Sequence, residues 1–209
     1  TKLAHIHFPA TEASKKNLIR LGENRKFIFN TGCPAIDNLK NIKKIKVNDI
    51  PRGVGNKTDW SKKFLLVVQH PVTTEFNLST SQINQTIKAI HKFNVQTVWL
   101  WPNIDAGSDL ISKELRKYRE KNKNHKIKFF KNFEIDHYNW ILSKASCLVG
   151  NSSSFIREGS FFGTPAVIVG SRQKGREIGR NVILSKNDSN EIYKKIKIQF
   201  QRKFKSEKI

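Results

Sequence analysis

The sequence predicts an α/β protein: a parallel β-sheet with helices on both faces. Three observations carry this. Short apolar runs recur along the chain, segments with apolar residues at three- and four-residue steps alternate with them, and polar, glycine-rich residues collect at the carboxyl ends of the runs. Most runs are continuously apolar, the pattern of strands buried on both faces rather than on one.

Taken in order, the first run is 25–31 (RKFIFNT), followed by a helical pattern over 34–44. A polar connector, 45–62, contains Arg52-Gly53-Val54-Gly55 and reads as a loop. The runs 64–70 (FLLVVQH), 95–101 (VQTVWLW), 126–130, 145–150 (ASCLVG) and 165–170 (PAVIVG) complete the predicted strands. Between them, 79–93, 108–121, 136–144 and 153–162 carry helical periodicity. Two flanks stand apart: 1–22 precedes the first repeating unit, and 188–209 reads as one long basic helix.

Composition narrows the classes. The chain has 209 residues, enough for one sizeable core. No stretch approaches the roughly 18 uncharged apolar residues that cross a bilayer, and residues 1–10 lack the order of a signal peptide. Cys33 and Cys147 sit among apolar neighbours, so a reducing, cytoplasmic setting is expected. There is no Met, and a chain that begins at Thr1 is expected to be a piece of a longer protein. The net charge of +22 invites a nucleic-acid reading. However, 29 of the 39 cations are Lys and are spread along the chain, and the dense runs at 40–46 and 194–205 are interleaved with apolar residues as in amphipathic helices. Without a nucleic-acid motif, the charge reads as a solvated surface.

In a parallel sheet, ligands bind beyond the carboxyl ends of the strands. There the strongest signal is Gly150-Asn151-Ser152-Ser153-Ser154 with Arg157-Glu158. A buried strand ends, small hydroxyl residues turn, and a helix begins whose unpaired N–H groups favour a phosphate. Three serines add hydroxyl donors, and Glu158 lies one turn beyond Ser154, placed to accept both hydrogens of a ribose diol. The same residues also read as an Asn/Ser cap with a surface Glu. His70 closes a strand before Pro71, so its imidazole is expected at the rim, where it would contact phosphate or move a proton. A lone His is more often structural, and sharing the rim with the serine turn argues for function. Asn103, before Asp105-Ala106-Gly107-Ser108, is free to bind ligand, whereas Asp105 or Ser108 is expected to cap the next helix. Arg172, after the last strand, would clamp a diphosphate or simply belong to a basic loop. No metal-ligand spacing, GxSxG elbow, Walker A or GxGxxG loop is present.

Gln69-His70-Pro71-Val72-Thr73-Thr74, Pro102-Asn103-Ile104-Asp105-Ala106-Gly107-Ser108, the serine turn with Arg157-Glu158, Phe162-Gly163-Thr164-Pro165 and Arg172-Gln173-Lys174-Gly175-Arg176-Glu177 follow one another in register. Together they resemble the hydrolysing UDP-N-acetylglucosamine 2-epimerases, in particular the sialic-acid-pathway branch. The resemblance implies the C-terminal half of a two-domain, glycosyltransferase-B-like fold, with 23–188 as a Rossmann-like UDP-binding domain. Residues 1–22 would be the end of an N-terminal domain, mostly absent, and 189–209 a basic helix packed back across the cleft. It further implies elimination of UDP and addition of water to give N-acetylmannosamine, with acid/base groups in the absent half, no cofactor, and a homodimer. On the same resemblance His70 is catalytic at the diphosphate, Ser152 and Ser153 hold phosphate, and Glu158 holds the ribose. Asn103 and Arg172 complete the site, the main chain near Phe133 touches uracil, and Gly32 allows close approach of the chain to ligand. Two other readings remain: a UDP-sugar glycosyltransferase of the same architecture, and a non-catalytic basic module for nucleic acid or other anions.

Overall fold

Six strands form one parallel sheet: β1 Leu65–Val68, β2 Thr97–Leu100, β3 Ile127–Phe130, β4 Cys147–Gly150, β5 Ala166–Val169 and β6 Val182–Ser185. Their order is β3-β2-β1-β4-β5-β6, and every neighbouring pair runs parallel. The structure, a computed structural model, describes residues 1–40, 45–55, 58–123 and 126–207. Strands β1 to β5 are buried at every position, as their continuous apolar runs require.

Helices cover both faces. On one, α3 Ser79–Phe93, α4 Ser108–Lys121 and α7 Ser189–Gln199 bury Ile83, Ile87, Ile90, Ile111, Leu115, Ile192 and Ile196 against Val67, Trp99 and Val149. On the other, α5 Ile135–Lys144 and the turn leading to α6 Arg157–Phe162 bury Ile141, Leu142, Phe155 and Ile156 against Leu66, Leu148 and Ile168. The first set repeats at three- or four-residue steps, which makes α3, α4 and α7 readable in the sequence. Before the sheet lie α1 Glu12–Arg20, with no buried residue, and α2 Pro34–Leu39, which packs on α6.

Four expectations are corrected. The run 25–31 is not a sheet strand. Asn24 Oδ1 accepts from the Lys26 N–H (3.0 Å) to start a 3-10 turn over Arg25–Phe27, and only Ile28 pairs, in an isolated bridge with His7. The helix expected over 34–44 ends at Leu39, and 41–44, with most of the 40–46 basic run, lie outside the described residues. The segment 153–162 splits into a 3-10 turn, Ser153–Phe155, and α6. The last helix stops at Gln199, short of the 209 expected, and α7 lies against α3 and the sheet. Beyond it the chain returns to α6, where the Glu207 N–H donates to Ser160 O (2.9 Å). Strand β6 was not read from the sequence, because as an edge strand with Leu184 exposed and Ser185 at its end it lacks a continuous apolar run.

The 45–62 connector is more than a loop. Val54 pairs antiparallel with Phe129 through two backbone bonds (2.8 and 3.1 Å), strapping the β3 edge. Gly53 permits this approach, since a Cβ there would lie 2.6 Å from the Phe129 carbonyl oxygen. At the sheet's centre Gly150 takes φ 134°, and a Cβ would lie 2.1 Å from the Val68 carbonyl oxygen. Gly150→Ala is therefore expected to cost about 3 kcal/mol, read as a lowered urea midpoint at unchanged slope.

Candidate functional site

Between β1 and β4 the strand order reverses, and the chains leaving the two strands go to opposite faces of the sheet. A crevice opens at the carboxyl ends of such a pair. Asn151 stands at its base, 2% exposed. Its N–H donates to Val68 O (3.1 Å), its side-chain Oδ1 accepts from the His70 N–H (2.7 Å), and its Nδ2 donates to His70 O (2.8 Å). The amide side chain thus extends the β1–β4 ladder by a further rung after the strands end. The Asn151 carbonyl accepts from Gln173 Nε2 (2.7 Å) and Arg172 Nη1 (3.2 Å), drawing the loop after β5 into the same knot.

His70 Nδ1 accepts from the Asn103 N–H (3.1 Å). That bond leaves the proton of the neutral ring on Nε2. Burial, then the nearby Arg172 guanidinium, push the His70 pKa down to about 4, with Asp105 opposing. At neutral pH the ring is an uncharged donor beside a permanent cation. Asp105 and Arg172 line a cleft of about 590 Å3 together with Pro71, Thr73 and Lys174. Neither Asp105 nor Ser108 caps α4 with its side chain; the cap is Gly107, at φ 92°. Asn103 is exposed at the rim.

Glu75 binds the cleft's two walls. One carboxylate oxygen accepts from Ser171 Oγ and the other from Gln82 Nε2 (2.5 Å), so the loop after His70, α3 and the loop bearing Arg172 share one carboxylate.

The serine turn begins at Ser152, 8% exposed. The first bonds of the turn are from the Phe155 and Ile156 N–H groups to the Ser152 and Ser153 carbonyls. The N–H groups of residues 152–154 therefore precede the turn's own acceptors and need partners from elsewhere. Ser154 does not add a third rim hydroxyl. Its Oγ lies 2.5 Å from Tyr138 OH and 2.8 Å from Ser152 Oγ, buried beneath the turn. Burial pushes the Tyr138 pKa up to about 12, helped by Glu158 and opposed by the Ser154 bond.

Glu158 is 12% exposed, and its Oε2 is buried without a hydrogen-bond partner, with Arg157 Nε at 3.8 Å. A carboxylate oxygen in that state calls for a donor. Arg157 also reaches Ser153 Oγ (3.4 Å) and Cys33 Sγ (3.7 Å), bringing the Gly32-Cys33 loop beside the turn, with Gly32 at φ 80°. Phe133 is 7% exposed and packs on Phe130 with centroids 4.7 Å apart, so its side chain belongs to the core and only its main chain is left for contact.

Most of the sequence-predicted residues thus fall into two linked groups that meet at Asn151-Ser152, with Phe133 apart in the core. His70, Asn103 and Arg172 are tied through Asn151, and Ser153, Glu158 and the Gly32 loop are tied through Arg157. Sequence reasoning read Asn151 only as an alternative helix cap and assigned no role to Glu75 or Tyr138. The position of Asn151 directly after Gly150 was the available signal; the partners of Glu75 and Tyr138 are distant in sequence. No cluster of three metal-ligating side chains occurs among the described residues.

A family model described as UDP-N-acetylglucosamine 2-epimerase matches residues 1–209. The chain belongs to this epimerase family. Among its curated relatives, GDP/UDP-N,N'-diacetylbacillosamine 2-epimerase (hydrolyzing) of Campylobacter jejuni is 34% identical over 198 residues, which are 94% of this chain and 51% of that protein. UDP-N,N'-diacetylbacillosamine 2-epimerase (hydrolyzing) of Legionella pneumophila is 36% identical over 183 residues, 88% of this chain and 47% of the relative. The chain spans about half the length of the curated relatives it matches. The solved structure of Methanocaldococcus jannaschii UDP-GlcNAc 2-epimerase with UDP-GlcNAc and UDP matches with a TM-score of 0.69 at 20% identity, over 95% of this chain and 56% of that one. The epimerase-family chain therefore has the Rossmann-like, glycosyltransferase-B-like half fold that its sequence predicts.

Two measurements test this knot. In an NMR titration His70 should protonate near pH 4, and Arg172→Gln should raise the midpoint without reaching 6.5, because burial is the larger cause. The unfolded chain takes up this proton near pH 6.5 and the folded chain only near 4. Stability is therefore whole above pH 6.5 and falls on acidification, by about 3 kcal/mol across the window. Asn151→Ala leaves the buried His70 N–H and C=O unpaired and should cost about 2–5 kcal/mol in chemical denaturation.

Proposed function

We propose that this chain supplies the nucleotide-binding half of a hydrolysing 2-epimerase that converts UDP-N-acetylglucosamine and water to N-acetylmannosamine and UDP. The observation that carries the reading is the crevice itself. In this reading an uncharged His70 with its proton on Nε2, the Arg172 guanidinium, the N–H groups of the serine turn and the Glu158 oxygen without a hydrogen-bond partner act on one ligand. A nucleoside diphosphate needs those groups: donors and positive charge for the phosphates, and an acceptor for the ribose diol.

In the first step a base takes the proton from sugar C2 as the C1–O bond breaks, and UDP leaves with the bonding pair. His70 Nε2–H and Arg172 receive the charge that builds on the departing diphosphate, in a site where their positions are fixed beforehand. Water then adds hydroxyl to C1 and a proton to C2 from the other face, which inverts that carbon. The groups that handle the C2 proton belong to the preceding domain. Residues 23–188 are the UDP domain in this reading, and 1–22 the end of its predecessor. Leu3, Ile6, Phe8, Leu21, Phe27 and Phe29 are exposed, an apolar surface suited to being covered by that domain. The homodimer and the cytoplasmic location belong to the same proposal; among the described residues no helix is long and apolar enough to cross a membrane.

The names of two relatives favour a second substrate, UDP-N,N'-diacetylbacillosamine, which shares the UDP and the 2-acetamido group. UDP release by the complete enzyme, measured with each sugar in the absence of an acceptor, separates the two. It also separates both from a glycosyltransferase. For the nucleotide site, UDP at about 100 times its Kd should add about 2.7 kcal/mol to the chain's stability. Glu158→Ala should remove most of that protection in a thermal melt. Equal protection by inorganic phosphate, or none by UDP, would turn the reading towards a general anion-binding module.

A further inference from the structure

A second cavity, about 850 Å3, is lined by residues 47–53 and 58–61 of the connector, with Lys128 and Phe130 of β3 and Trp140 of α5. It does not belong to the crevice. None of its lining residues borders the His70–Arg172 cleft. One end is fixed at the amino ends of the strands, where the Asp59 N–H donates to Gln96 Oε1 (2.8 Å) and Gln96 Nε2 donates to Asp59 O (2.8 Å).

Its lining is unusual in charge. Lys128 occupies the second position of β3 and shares a face with Phe130, where an apolar residue would continue the strand's core pattern. It is 7% exposed and has no hydrogen-bond or ion-pair partner among the described residues. Arg52, from the strap, lines the same cavity; burial and the Arg52 charge together lower the Lys128 pKa. The acid in the lining, Asp59, is engaged by the Ser61 N–H (3.1 Å), Ser61 Oγ (2.6 Å) and Lys62 Nζ (3.2 Å). Thr58 lines the same cavity, is 9% exposed, and its hydroxyl has no partner among the described residues. A lysine whose stem is covered while its ammonium keeps access to the cavity, beside Arg52 and an unpaired hydroxyl, is a favourable arrangement around anionic oxygens.

The walls are aromatic. Trp60 and Trp140 meet edge to face with centroids 5.8 Å apart, and Phe130 adds a third ring. Indole faces hold flat or cyclic bodies, and the volume falls within the roughly 300–1,000 Å3 of small-molecule sites.

We propose that this cavity is a second binding site, for a sugar-sized ring bearing a phosphate or carboxylate, with Lys128, Arg52 and Thr58 on the anion and Trp60 and Trp140 against the ring. Tryptophan fluorescence of the 209-residue chain, titrated with glucose 1-phosphate, glucuronate, glucose and inorganic phosphate, tests it. A saturable change with a ring-bearing anion and none with glucose is expected, and the responding anion identifies the group. Lys128→Met should weaken that binding by about tenfold or more. Arg52→Gln, at an exposed position that leaves the core intact, should weaken it in the same direction, and Glu158→Ala should leave it unchanged, which keeps the result separate from the UDP reading. The proposal is overturned by no response to either ring anion, by a response to inorganic phosphate alone, or by unchanged affinity in Arg52→Gln, the variant that decides should Lys128→Met fail to fold.

Discussion

One side-chain amide organises the crevice. A strand that ends beneath a binding site must leave its last backbone groups paired, or the desolvation cost of each unpaired group falls on the fold. Asn151 meets that requirement by acting as an added peptide unit, with one acceptor and one donor for the two backbone groups of His70. Its own carbonyl then holds Gln173 and Arg172. The catalytic imidazole of the proposed reaction, the guanidinium and the serine turn thereby take their positions from a single residue whose side chain never has to reach a ligand. Gly150 is the other half of this constraint, because only a residue without a side chain lets β4 pass so close to Val68.

The electrostatics follow from that geometry. The chain carries a large excess of positive charge, yet its proposed catalytic ring is neutral, held so by burial and by Arg172. A neutral donor next to a permanent cation suits a leaving diphosphate: the cation supplies charge and the ring supplies a directed hydrogen bond that does not vary around neutral pH. The surface lysines contribute a general positive field that favours anionic substrates without specifying one. Glu75 holds the cleft's walls in register, so the charge on Arg172 is fixed in place as well as in sign.

Much of this was legible in the sequence because burial on two faces leaves a continuous apolar run and helix packing leaves a three- and four-residue repeat. The runs that became β1 to β5 show it, as do α3 and α4. The run 25–31 misled because an exposed Phe on either side of one buried Ile imitates a strand, while Asn24 starts a turn. Strand β6 was hidden by its exposed outer edge. At the crevice, residues near strand ends were readable from position alone: His70, Asn103, the serine turn and Arg172. What could not be read was the cross-linking. The inward turn of Ser154 towards Tyr138 and the bridge from Glu75 to Ser171 each join residues distant in sequence, and no local pattern records such a partner.

The strap at Gly53 and Val54 bears on how the molecule behaves in a crowded solution. A parallel sheet has two outermost strands, and each offers a row of peptide groups on which a foreign β-segment can align. Along β3 the strap occupies that row at Phe129, and on the far side Lys195 reaches the Leu184 carbonyl of β6. Both borders are thus blunted by parts of the same polypeptide, one by main chain and one by a charged side chain. A bulky residue at Gly53 would press on the Phe129 carbonyl and the Phe130 ring, lift the first of these stoppers, and open the β3 edge to pairing with another chain.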